Sequence, residues 1–229
     1  MRIFRSCASA RDSAGRQRSE KRNINRPKGY KNYNMKKIII LGIFVLNTII
    51  SFSQTQSSEH LEFKGVPIDG TLNEYVAKMK QNGFTHIGTE DGVAMLRGDF
   101  AGYKNCIIGV ATLKQKDLVS KITVIFSDCD TWSSLSSNYF SLKEMLTEKY
   151  GKPSDVVEKF QSYSQPRDDK SKIYEVQFDR CKYYTTYETK RGRIQLSIEH
   201  NSVISCFVML SYYDKINSDI VKAKAIDDL

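Results

Sequence analysis

The strongest constraint on this chain is a pattern written twice, a one-faced helix followed by short alternating strands joined at tight turns. In the first copy Thr71 is an N-cap, with Glu74 three residues on to complete a capping box. Leu72, Tyr75, Val76 and Met79 form the apolar stripe, and Asn82-Gly83 ends it. Three strands follow, near Val93 to Gly98, Tyr103 to Thr112 and Val119 to Ser127, and Gly88 to Gly92 reads as a turn before them. The second copy opens at Asp130-Thr131. Its apolar residues Trp132, Leu135, Tyr139, Leu142 and Leu146 step at helical spacing, and Gly151 and Pro153 stop the helix. A short strand at Val156 to Phe160 and a polar loop from Gln161 to Lys172 come next. Four strands then run near Ile173 to Phe178, Lys182 to Thr189, Arg193 to His200 and Val203 to Tyr213, before a helix from Ser218 to Ile226. A short strand at Leu61 to Lys64 and a turn segment at Gly65 to Gly70 precede both copies. Hairpin-linked strands alternating with one-faced helices predict an α+β fold: an antiparallel sheet of two tandem helix-plus-meander repeats, about 60–130 and 131–229, with helices packed on one face.

The turns suggest strand registers. With Arg191 and Gly192 central, Leu196 faces Tyr187 and Ile198 faces Thr185. Tyr183, Thr185, Tyr187, Ile194, Leu196 and Ile198 then share the inner face, and Tyr184, Thr186, Glu188, Arg193, Gln195 and Glu199 the outer. With Asn201 and Ser202 central, Ile204, Cys206, Val208, Leu210 and Tyr212 join that outer face. An apolar row beside polar neighbours is what a partner-binding face shows. The candidate binding residues are therefore Tyr184, Arg193, Ile204, Val208, Leu210 and Tyr212. The tyrosines crowding this meander fit both cross-strand pairing and recognition.

Before the repeats, Met35 is followed by Lys36-Lys37 and an apolar run from Ile38 to Phe52, with Ser51 and Ser53 at the small-residue positions of a cleavage site. The run is shorter than the ~20 residues of a spanning helix, so Met35–Ser53 reads as a secretory signal peptide. Residues 1–34 are then translated sequence upstream of a misplaced start, or a disordered basic segment. The competing reading keeps them as a cytoplasmic tail on a signal anchor. Charge location matters more than the total of +9. Residues 1–34 hold ten Lys and Arg against two acids, and the leader adds two lysines, so the body from 55 on carries −1. Phosphate binding needs a basic stripe, and nucleic acid is not an expected partner. Residues 54–229 form one α+β domain in the periplasm or outside the cell, touching membrane only through an uncleaved leader.

The body lacks the usual catalytic sets. His60, His86 and His200 lie far apart in sequence. Asp128-Cys129-Asp130 lacks the glycine and closing glutamate of a calcium loop. Asp168-Asp169 reads as a solvated pair. There is no glycine-rich phosphate loop, nucleophile elbow or zinc-protease motif. The expectation is a non-enzyme with no cofactor and no metal. Four cysteines follow the leader, Cys106, Cys129, Cys181 and Cys206, allowing three connectivities. The registers set Cys106 opposite Ile125 and Cys206 opposite Ser197, so pairing within either half is disfavoured and buried thiols are the simpler reading.

Phe63-x-Gly65-x-Pro67-Ile68-x-Gly70, Phe100-x-Gly102-Tyr103-x-x-Cys106 and Leu146-x-x-Lys149-Tyr150-Gly151-x-Pro153 resemble segments of small uncharacterised exported proteins of the Bacteroidetes group, over most of 60–215. That resemblance implies a compartment and carries no mechanism. The doubled layout is also similar, at fold level, to the β-lactamase-inhibitor-protein-like architecture, in which a sheet face grips partners. The expected function is an exported, non-catalytic binding module recognising another envelope or secreted protein, or an envelope component, through a sheet face. The alternative is a small-ligand or lipid carrier with an apolar pocket between helices and sheet.

Overall fold

The computed structural model describes residues 59–113, 116–201 and 205–227. The leader, the basic front segment and Ile204 lie outside the described residues. In chain order the elements are β1 (Glu62–Phe63), β2 (Val66–Pro67), α1 (Leu72–Gln81), β3 (Thr85–Glu90), β4 (Val93–Phe100), β5 (Tyr103–Leu113), β6 (Lys116–Ile125), α2 (Trp132–Tyr150), β7 (Asp155–Phe160), α3 (Asp169–Gln177), β8 (Cys181–Thr189), β9 (Gly192–Asn201), β10 (Ser205–Asp214) and α4 (Lys215–Asp227). The fold is α+β. Eight strands form one sheet in the order β3-β4-β5-β6-β10-β9-β8-β7, and every neighbouring pair is antiparallel.

The helix ends follow their local chemistry. Thr71 Oγ1 accepts the Glu74 N–H, and the Glu74 carboxylate accepts the Thr71 N–H in return. Thr71→Ala is expected to cost about 1 kcal/mol of stability, read as a lower urea midpoint with an unchanged slope. Gly151 ends α2 at φ 82°, a left-handed value that suits glycine, with its N–H on the Thr147 carbonyl.

Three elements depart from the sequence reading, the smallest being β2, which pairs with β1 inside the expected turn segment. Thr85–Glu90 is a fourth strand of the first meander. Only Asp91-Gly92 (φ 49° and 79°) turns it into β4. This edge strand was hidden because it is mostly exposed, with little apolar alternation. Ile173–Phe178, expected as a strand, belongs to α3 and the residue that caps its end. Asp168 accepts the Ser171 N–H at 2.7 Å and starts the helix, which buries Ile173 and Val176. Nor are Asp168 and Asp169 simply solvated. Asp169 accepts the N–H groups of Trp132 (2.9 Å) and Ser133 (2.7 Å), so it caps α2 from a neighbouring helix. Hydrogen bonds from Ser133 hold the Asp169 carboxyl below the ordinary aspartate range, and those from Ser171 do the same for Asp168.

One sheet face carries the core. Leu96, Ile108, Val124, Leu210, Leu196 and Thr185 face one another across six strands and are all buried. Tyr75 and Met79 of α1, the α2 stripe, and Ile173 and Val176 of α3 pack into the same core. The arm at 59–70 completes it. Leu61, Phe63, Val66 and Ile68 are buried, and the Phe63 ring lies 5.1 Å from Phe100 and 5.4 Å from Tyr212.

Candidate functional site: the open sheet face

Side chains alternate across a strand, so the face opposite the core is built from the intervening residues. Cross-strand pairing lines up three rows on it. Arg97, Ile107, Ile125, Met209, Ser197, Tyr184 and Val157 form an apolar row with a cation at one end. Beside it run Met95, Gly109, Thr123, Ser211, Gln195 and Thr186, mostly small or hydroxyl-bearing. The third row runs Val93, Ala111, Lys121, Tyr213, Arg193 and Glu188. There the neighbouring strands on either side set two cations against the Tyr213 ring. Lys121 Nζ is 5.0 Å and Arg193 Cζ 4.7 Å from its centroid, distances at which a ring quadrupole attracts a cation. Ser218 and Asp219 of α4 border this end, around a cavity of about 290 Å³ shared with Arg193 and Tyr213.

Of the six candidate residues, Tyr184 and Arg193 lie on this face. Tyr184 is half-buried, and the hydrogen bond from its hydroxyl to the Asp155 carboxylate raises its pKa. Val208, Leu210 and Tyr212 do not lie there. Their exposures of 0%, 1% and 4% put them in the helix-covered core, which overturns their expected place on the outer face. Burial pushes the Tyr212 hydroxyl pKa up. The cause is the turn. Asn201 pairs with Ser205, and Cys206 with His200 rather than Ser197. Three residues, not two, separate the paired ends, and an odd shift of register sends every side chain to the opposite face. At the other hairpin Thr189 pairs with Gly192 and Leu196 with Thr185, two residues from the expected register. An even shift preserves the faces, so the assignment of Tyr184 and Arg193 was unaffected.

The sequence reading missed Lys121, Ile125, Met209 and Tyr213 as face residues. In β10 both alternating sets hold large apolar or aromatic side chains, Phe207, Met209 and Tyr213 in one and Val208, Leu210 and Tyr212 in the other, and Ser205 and Ser211 are a weak signal of which faces out.

Other polar groupings are local. His60 Nδ1 lies 3.0 Å from Asp214, and His200 Nε2 lies 2.9 Å from Asp179. Among the described residues no group of three or more His, Cys, Asp and Glu side chains could hold a metal ion. At α3 the half-exposed Tyr174 and Phe178 rings sit 4.3 Å apart, with Arg180 over both and paired to Glu175. Arg180 and Ser162 hold the Glu175 carboxyl below its ordinary range. A cavity of about 330 Å³ opens between the end of α2 and the β8–β9 turn, bordered by Leu61, Tyr150, Lys149, Lys190 and Arg191. Set against known proteins, the chain matches no family, no curated protein and no solved structure.

Proposed function

We propose that residues 54–229 act outside the cytoplasm as a non-catalytic binding module that grips a protein partner on the open sheet face. The observation that carries this reading is the Lys121–Tyr213–Arg193 row beside the apolar row of Ile107, Ile125, Met209 and Tyr184. Aromatic, methionine and arginine side chains are the residues that interfaces favour.

The tandem repeat belongs to the same proposal. The sheet order runs outward-in through β3 to β6 and back out from β10 to β7, so the last strands of both halves meet at the centre. A duplicated meander related by a two-fold axis has that order. Under this reading, α3 is an insertion in the second copy. Export rests on the Met35–Ser53 leader.

The carrier reading has one observation in its favour, the cavity near Lys149, Lys190 and Arg191, which is at the lower end of ligand-site volumes. The test compares purified wild type with Met209→Arg and with the double variant Arg193→Ala, Tyr213→Ala, as baits for envelope extract. An identified partner is expected to lose at least tenfold in affinity for both variants while their melting temperatures stay close to wild type. A partner that binds all three equally, or failure of wild type to retain any protein, overturns the assignment. Loss on Lys149→Ala and Lys190→Ala instead moves the site to the cavity.

A further inference from the structure

We propose that Cys129 and Cys206 form a disulfide that staples the end of the first half to the last strand of the second. All four described cysteines stand here as thiols. The Cys129 N–H donates to the Cys206 carbonyl at 2.8 Å. With ordinary backbone bond lengths on either side, a single N–H···O=C bond of this length keeps the two Cα atoms within about 6.7 Å, inside the ~4.4–6.8 Å range of disulfides. Both residues belong to one buried cluster, so both side chains lie on the helix-covered side.

Among the four described cysteines, strand order sets the other pairs farther apart. Cys206 pairs with His200, and continuing the β8–β9 ladder sets His200 opposite Cys181, so β9 lies between Cys181 and Cys206. Two strand spacings are about 9.5 Å, too far to bridge. Cys106 is kept from Cys206 by β6 in the same way, because Ile107 pairs with Ile125 and the Phe126 N–H bonds to Val208. That register sets Cys106 opposite Phe126, three residues before Cys129 along the chain. Cys181 is farther still from Cys106 and Cys129, on the far side of β9 and β10.

In the thiol form, Cys129 Sγ lies 3.7 Å from the Ser127 carbonyl and accepts from Asn138 Nδ2 at 3.4 Å. A rotation about χ1 exchanges these weak contacts for the bond to Cys206. Burial raises the pKa of both thiols, so they react slowly once folded. The bond therefore forms while the seam closes during folding. One cysteine thiolate attacks a disulfide donor and expels the donor's first thiolate. The second cysteine then attacks that mixed disulfide and expels the other. Two electrons pass from the cysteines to the donor, and the two cysteine protons end on its released thiols. Outside the cytoplasm a protein disulfide donor fills this role. In vitro, oxidised glutathione does.

The test takes the full 229-residue chain, unfolds it and refolds it in a buffer of oxidised and reduced glutathione. Remaining thiols are alkylated, and the folded fraction from gel filtration is digested without reduction for mass spectrometry. The expected product is a Cys129–Cys206 linked peptide two hydrogens lighter than its parts, with Cys7, Cys106 and Cys181 alkylated. In Cys206→Ser, Cys129 becomes alkylated. Finding Cys129 and Cys206 both alkylated in the folded wild type, or either one mainly joined to another cysteine, overturns the proposal.

Discussion

Asp214→Ala is expected to lower stability by about 3–5 kcal/mol, the range for breaking a buried charged network. Asp214 ends β10 with a side chain that is 0% exposed. One carboxylate oxygen accepts the Leu61 N–H at 2.7 Å; the other accepts the Asn217 N–H at 2.9 Å and lies 3.0 Å from His60 Nδ1. Removing the carboxylate strands two buried backbone donors, each costing about 1–3 kcal/mol. The damage spreads, because Asn217 Nδ2 also donates to the carbonyls of Val119 (2.8 Å) and Ile68 (3.0 Å). One acid thus ties together the arm, the start of β6 and the start of α4. For a domain of this size, the loss lowers the melting temperature by about 10–15 °C. Asp214→Asn keeps one acceptor but points a donor at a donor, and is expected to lose about half as much. The adjacent exposed Lys215, changed to Ala, is expected to stay within about 0.5 kcal/mol of wild type. Urea titrations of the three variants decide. A loss below about 1 kcal/mol for Asp214→Ala means the arm is held by its apolar residues alone.

That network also marks how far the sequence could be read. The helices α1 and α2 were legible because their signals are local: Thr71 with Glu74, the stripe from Trp132 to Leu146, and Gly151 as the stop. The sheet was legible as a class, and β8 and β9 even kept their faces through a register error of two residues. What failed depended on partners far along the chain. Asp214 reads as an ordinary acid after a strand; only its meeting with Leu61 and His60 makes it structural. Asp169 reads as a loop residue until α2 is placed beside it. The candidate face failed at a single turn. A hairpin whose connecting residues number three instead of two inverts everything after it, and in β10 only Ser205 and Ser211 marked the outward set.

The corrected register makes adjacent residues of β10 behave oppositely, and this is the second large effect. Leu210→Ala is expected to cost about 2–5 kcal/mol, because the deleted methyl groups leave a cavity among Val124, Leu196 and the helices above them. Val208→Ala, at 0% exposure, removes less volume and is expected to cost about 1–2 kcal/mol. Met209, half-buried on the open face between Ile125 and Ser197, is expected to lose about 1 kcal/mol or less on truncation to Ala. Chemical unfolding of the three single variants suffices, since the order of the costs carries the result. If Met209→Ala proved the costliest and Leu210→Ala nearly neutral, the strand would sit one residue out of register, with the row at 208–212 returned to solvent. The order expected here separates the two kinds of position. Leu210 cannot contact a partner without unfolding the chain, whereas Met209 can be changed to arginine with the core intact. Binding lost in Met209→Arg at unchanged stability therefore reports on the face itself.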